Sequence, residues 1–218
     1  MASRPPHGSS EIVSWKTPAI FQGAGRCEMA IKEWAAVEAA LGEGRQSILL
    51  RAGGIADPDG RFGFSQSRFW IFPTRFHESP DSLVENARML ATHARSEAAS
   101  ADGEAGVRRL SLVADLHSVH WVDDRLAAAR LAGLHVFSED TVSKRFSYRE
   151  PGLAVALLRV WRRSPPHRIV ESPAMAGCHS WVELAEPLGC DPAEPVLDDD
   201  AFERLRGDLA ERLGTERL

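Results

Sequence analysis

Apolar positions change their spacing several times along these 218 residues, and each change marks an element. Ser47–Arg51 (SILLR) is a short solid apolar run, the pattern of a buried strand. Arg68–Phe72 is a second such run, which Pro73 is expected to stop because proline donates nothing to a ladder. Between them lies a loop, Ala52–Gln66, with turn chemistry at Asp57-Pro58-Asp59-Gly60. Ala30–Leu41 fits two states: its alanines favour helix, while Gly42 and Gly44 closing the run before a strand suit a hairpin. Leu110, Leu112, Ala114 and Leu116 alternate with polar or small residues, so Val107–Val122 reads as one long strand or a bent pair. Leu153–Trp161 is apolar on both faces, as a central strand requires, with Ser164-Pro165-Pro166 as its end. Leu134–Phe137, Arg168–Val170 and Ser180–Leu184 are shorter strand candidates.

Helical spacing takes over elsewhere. Ser79-Pro80-Asp81 has the composition of a helix start, followed by one apolar stripe at Leu83, Ala87, Leu90 and Ala91. A short helix from Asp123 to Ala132 ends at Gly133, and Ser138 caps another with Glu139 and Asp140 in its first turn. The last helix has Asp198 to Asp200 at its positive end and Phe202, Leu205 and Leu209 on one face. Residues 1–28 read as a flexible leader, 96–106 as a polar linker, and 29–218 as a single domain. The sum is an α+β fold with six or seven short strands. They form a mixed β-sheet or a small partly closed β-barrel, flanked by three or four helices.

Composition narrows the class. A hydrophobic fraction of 44% suits a globular core, and no run approaches the ~20 apolar residues that span a bilayer, so no membrane association is expected. The first residues carry no apolar signal region, and three cysteines without a CxxC pair point to reduced thiols in a cytoplasmic protein. A four-ligand zinc site built mainly from cysteine is not expected. The net charge of −5 hides an asymmetry. Thr141–Val170 holds seven basic residues against Glu150 alone, whereas the chain from Glu183 onward holds eleven acids and four arginines. A basic band can mark a phosphate-binding surface, but mutual neutralisation within the fold is the simpler expectation.

The block IKEWAAVEAAL, ILLRAGGI and RFWIFPTRFH, followed by HVFSEDTVSKRFSYR, LAVALLRVWR and GCHSWVEL, resembles a bacterial family, domain of unknown function 1802, over about residues 30–210. That family implies no activity. The segments ALLRVWRRSPPHRI and GCHSWVEL are also similar to the last strands of PUA-like domains, which include ASCH and EVE domains. This second resemblance implies a small mixed barrel, with RNA or modified-base binding in many members and hydrolysis of acylated nucleosides in some.

Several residues carry candidate chemistry. Gly53 and Gly54 follow a strand and would let backbone amides approach an anion or base, although a turn that needs positive φ is the simpler explanation. Arg51, Arg68 and Arg75 lie among Phe69, Trp70, Phe72 and Phe76, a mixture suited to stacking on bases or clamping phosphate. Thr74 and His77 end a strand beside Glu78, an arrangement open to acid–base work or to simple loop capping. Asp115, His117 and His120 lack the spacing of any specific metal motif, and no metal site is assigned. Cys178-His179 would point to opposite faces of a strand, as would Lys32-Glu33, which weakens both as catalytic pairs. The leading expectation is a domain that binds RNA, single-stranded DNA or a nucleotide through Arg51, Gly53, Gly54, Arg68, Trp70, Thr74, Arg145, Arg159 and Trp181. A hydrolase or nuclease using His77, Glu33 and Lys32 is the second. A non-enzymatic module contacting a protein partner through exposed tryptophans is the third. No cofactor and no oligomeric state can be read from the residues.

Overall fold

A computed structural model describes the backbone of residues 12–13 and residues 25–53, 60–90, 92 and 106–215. In chain order its elements are β1 (Ile12–Val13), β2 (Arg26–Trp34), α1 (Ala35–Gly42), β3 (Ile48–Arg51), β4 (Arg68–Thr74) and α2 (85–90). They continue with β5 (Val107–Val122), α3 (Arg125–Arg130), α4 (Glu139–Phe146), β6 (Leu153–Val170), β7 (Trp181–Gly189), β8 (Ala193–Pro195) and α5 (Asp199–Leu213). All strands join one eight-stranded sheet in the order β3-β6-β5-β4-β2-β7, with β1 added to β5 and β8 to β6. β2 runs parallel to β4 and every other pairing is antiparallel, so the sheet is mixed.

The long β5–β6 ladder is the spine. Its register shifts between Leu110 and Leu112 and again between Leu116 and Ser118. Such bulges bend a strand and increase its twist, which lets a sheet curl. The curl brings the end of β3 within side-chain reach of β2, although β3 pairs only with β6 and the sheet does not close through backbone bonds. Apolar alternation then fills two cores. Ile31, Phe69 and Ile71 face the larger one, under α1, α4 and α5. Ala30, Trp70 and Phe72 face a second one with Val113, Val182 and Leu184.

Several sequence expectations need correction. Ala30–Leu41 is neither all helix nor a hairpin: β2 runs to Trp34 and α1 starts at once, its Ala36 amide capped by Glu78 Oε2 at 3.0 Å. Pro73 does not stop β4, because the pairing with β5 covers only Arg68 to Trp70 and leaves that side of Pro73 without a ladder to break. Pro165 and Pro166 do not end β6 either; they sit in the skip between Arg162 and His167, where β5 makes no register pair. Leu134–Phe137 is not a strand but a connection with one bridge, Leu83 to Phe137, because its Val136 amide bonds the side chain of Gln46 and Ser138 then starts α4. The helix start at Ser79 is a single 3-10 turn, Pro80–Ser82, with no side-chain cap, and regular helix begins at 85. β2 begins at Arg26, inside the stretch read as a leader, and residues 1–11 and 14–24 lie outside the described residues. Leu83, Ala87 and Leu90 are buried as the stripe predicts, and Ala91 is not among the described residues.

Gly152 tests the turn that feeds β6. Its φ is +140°, and a Cβ there would lie 2.4 Å from the Trp121 ring. Gly152→Ala is expected to cost about 1–3 kcal/mol from the backbone conformation alone. The check is urea denaturation against the parent chain; an unchanged midpoint would refute the packing described.

Candidate functional site

The described polar groups converge where β2 and β3 end. Glu33 is 3% exposed and shares the β2 face of Ile31, turned toward the larger core. Arg51, the last residue of β3, donates from Nη1 to Glu33 Oε1 at 2.5 Å and to the Lys32 carbonyl at 3.0 Å. Its guanidinium lies 4.9 Å from the centre of the Phe62 ring. Arg145 enters from α4 and donates to the Leu50 carbonyl at 2.8 Å. Its guanidinium lies over Phe137 at 4.1 Å and Trp34 at 4.9 Å.

Electrostatics make this cluster cationic. No carboxylate among the described residues lies within ion-pair distance of Arg145. Burial lowers its pKa from 12.5 to about 10; Glu33 works against that and the charge on Arg51 adds to it. Arg145 is therefore still charged at neutral pH. His135 is pushed down to about 4, first by burial and then by Arg145, while its Nδ1 accepts the Phe137 amide at 3.2 Å. Two guanidinium groups and one carboxylate thus face each other beside a neutral imidazole and three aromatic rings. Arg61, exposed and next to Phe62 in the chain, lies 5.0 Å from the Trp121 ring.

The other candidates divide among separate places. Lys32 points to the opposite face of β2 from Glu33 and donates to the Gly177 carbonyl at 2.9 Å. His77 is exposed in a turn at φ +63°, its ring against Phe76. The described contacts therefore do not gather His77, Glu33 and Lys32 into one site. Thr74 holds the same turn, its hydroxyl accepting the Phe76 amide at 3.2 Å.

Trp70 is 0% exposed within the second core, so no base can stack on it while the core stays closed. Arg68 is held by both oxygens of Asp115, at 2.5 and 3.0 Å, and Asp115 also accepts from Trp161 at 3.0 Å. Trp181 packs edge-on to Phe69 and Phe64. Arg159 is bound to Asp199 and to the Asp198 carbonyl at the start of α5, so the acidic tail supplies counter-charge to part of the basic band. Arg162 and Arg163 donate to the carbonyls of Gly42 and Asp191.

Gly53 lacks a positive φ; what excludes a side chain is the Gly60 carbonyl oxygen, 1.6 Å from where a Cβ would stand. Gly54 lies outside the described residues. His117 sits at the β5 bulge with its ring against Phe202, and among the described residues no three His, Cys, Asp or Glu side chains group as metal ligands. Phe62, His135 and Phe137 were missing from the sequence-based site. The only local signal was the density of aromatic residues around Arg51, since Phe137 and His135 come from a distant connection.

The model of the family described as Domain of unknown function (DUF1802) matches residues 30–208. The chain belongs to this family. Among solved structures, the DUF1802 chain is similar to the crystal structure of ASCH from Zymomonas mobilis, at 15% identity and a TM-score of 0.41, over 81% of this chain and 92% of that one. A serine-to-alanine mutant of that ASCH protein matches equally, and a tyrosine-to-phenylalanine mutant matches at 16% identity and a TM-score of 0.38 over 81% and 94% of the two chains. No curated protein matches. No helix among the described residues of this DUF1802 chain is long and apolar enough to cross a membrane.

Two predictions follow from the cluster. Glu33→Gln leaves two guanidinium groups facing each other with their counter-charge removed, and is expected to cost about 3–5 kcal/mol, as for a broken buried pair. A double-mutant cycle with Arg51→Met measures the coupling, and a value near zero would dismiss the bridge. His135 binds its proton less readily folded than unfolded. Its contribution to stability is therefore complete above 6.5 and is lost as the pH falls toward about 4. The full loss is roughly 3 kcal/mol. Stability measured across that window should fall less steeply in His135→Gln, and an identical slope would remove His135 as the cause.

Proposed function

We propose that this DUF1802 domain binds a nucleic acid or nucleotide-like ligand, with Arg51 and Arg145 holding a phosphate where β2 and β3 end. The observation that carries the reading is the charge imbalance of the cluster: two half-buried guanidinium groups and one carboxylate. A phosphate oxygen would complete the coordination of Arg145, whose described partners are one carbonyl and two ring faces. Arg61 on Trp121 provides a second cationic step from the cluster toward the surface, as a chain of phosphates would need.

The net charge of −5 speaks against long duplexes, whose affinity comes from many phosphate contacts. Single-stranded RNA, single-stranded DNA or a nucleotide fits the small cluster better. Arg68, Trp70 and Arg159 have structural partners in this reading and do not touch the ligand.

Fluorescence anisotropy with labelled single-stranded RNA, single-stranded DNA and duplex DNA across a salt series tests it. Single strands should bind more tightly than the duplex, with affinity falling as salt rises. Arg145→Gln should weaken binding about 10- to 100-fold, the worth of one charge-assisted hydrogen bond. Arg206→Gln on α5 should leave binding unchanged. Equal affinity for the parent and a folded Arg145→Gln chain would refute the site, and absence of binding to any nucleic acid or mononucleotide would refute the function. Cleaved oligonucleotide on a gel would replace binding with hydrolysis as the activity.

A further inference from the structure

Cys27 and Cys190 lie 163 positions apart in the chain, yet their Sγ atoms are 3.3 Å apart. Cys27 is the second residue of β2, and Cys190 follows the last residue of β7. The ladder sets this meeting: Arg26 is opposite Gly189, Cys27 is opposite Leu188, and the Cys190 amide donates to the Gly25 carbonyl at 2.8 Å. Both thiols are free, in the second core, far along β2 from Glu33. The two thiols share one hydrogen bond; with burial it holds the Cys27 proton firmly, while Cys190 ionises more readily than an ordinary cysteine through the same bond, helped also by Arg68. A hydrogen-bonded pair of this kind has one thiol prepared as nucleophile and the other as resolving partner.

We propose that Cys27 and Cys190 are a redox modification site, joined by a reversible disulfide when the protein meets a peroxide. A thiolate attacks the peroxide O–O bond, forming a sulfenic acid and releasing hydroxide, which takes up the proton the thiol gave up. The second thiol then attacks the sulfenic sulfur, forming the S–S bond and releasing water. Two thiols and one hydrogen peroxide become one disulfide and two waters, with both sulfurs oxidised and the peroxide reduced. The sulfurs need to approach by a little over 1 Å to reach the ~2.05 Å of a disulfide.

Burial selects the oxidant. Cys27 is 6% exposed and Cys190 is 0% exposed, so a bulky disulfide is shut out and the proposed oxidant is a small peroxide. Cys178, by contrast, is exposed and meets larger reagents first. The cross-link fastens the start of β2 to the segment after β7 and closes most of the chain into a loop.

The full chain is treated with graded hydrogen peroxide, free thiols are alkylated under denaturing conditions, and the digest is read by mass spectrometry. The expected product is a Cys27–Cys190 linked peptide pair lacking two hydrogens, monomeric on a non-reducing gel and reversed by dithiothreitol. Its Tm should rise by about 5 °C or more, since a cross-link spanning a long loop restricts the unfolded chain. Cys178→Ser should keep this gain and Cys27→Ser should lose it. The wild-type peptide map decides even if Cys27→Ser fails to fold. Cys27 and Cys190 both remaining alkylatable after Cys178 has been oxidised would overturn the proposal, as would a cross-link that recruits Cys178.

Discussion

The bond from Arg51 to Glu33 stands where an eighth ladder would be needed to close this sheet. β3 has backbone pairing with β6 alone, and β2 is occupied by β4 and β7. Among the described residues no backbone ladder joins the end of β3 to the end of β2, and one guanidinium reaches both the Glu33 carboxylate and the Lys32 carbonyl. A buried ion pair adds little net stability over a well-packed apolar contact, but it tolerates few geometries. Its value here is placement. It fixes β3 against β2, and through the Leu50 carbonyl it fixes the seat of Arg145 and so of α4. The bridge thus ties the seat of Arg145 to the strand ends that the bulged β5–β6 ladder brings together.

The architecture was largely legible because it follows from alternation. Phe69 and Ile71 face one core and Trp70 and Phe72 the other, as their positions demand. The caps at Ser138 and Asp198 are read from single residues and stand in the structure with side-chain bonds to Thr141 and Ala201. Proline misled twice for one reason. The rule that proline ends a strand assumes a ladder on both sides, and at Pro73 and at Pro165–Pro166 that ladder is already interrupted. Whether a ladder is interrupted depends on a partner strand, which no local window contains.

The candidate site was legible only in part, again for a physical reason. Arg51 and Arg145 carry charge that an apolar core does not absorb without a purpose, and both were singled out. The rings that lie against them are not the neighbours in sequence: Trp70 lies on the strand face that the second core consumes, whereas Phe62 meets Arg51 from a loop, and Trp34, at the end of β2, and Phe137, in the connection before α4, meet Arg145. Lys32 and Glu33 show the converse: adjacent residues on a strand are separated by the sheet itself, so proximity in sequence ensures that they cannot act together.

β2 occupies the penultimate place in the sheet although it comes early in the chain. Its neighbours are β4, some forty positions later, and β7, about one hundred and fifty positions later. During synthesis from the N-terminus, β2 and β4 are complete long before β7 leaves the ribosome. Until then the outer edge of β2, carrying Cys27, Ala30 and Ile31, lacks its ladder partner and presents unpaired amides to any other chain. The order of translation thus leaves a nascent edge open while the roughly one hundred and fifty residues between β2 and β7 are made, a period in which an unpaired strand edge is prone to wrong pairing.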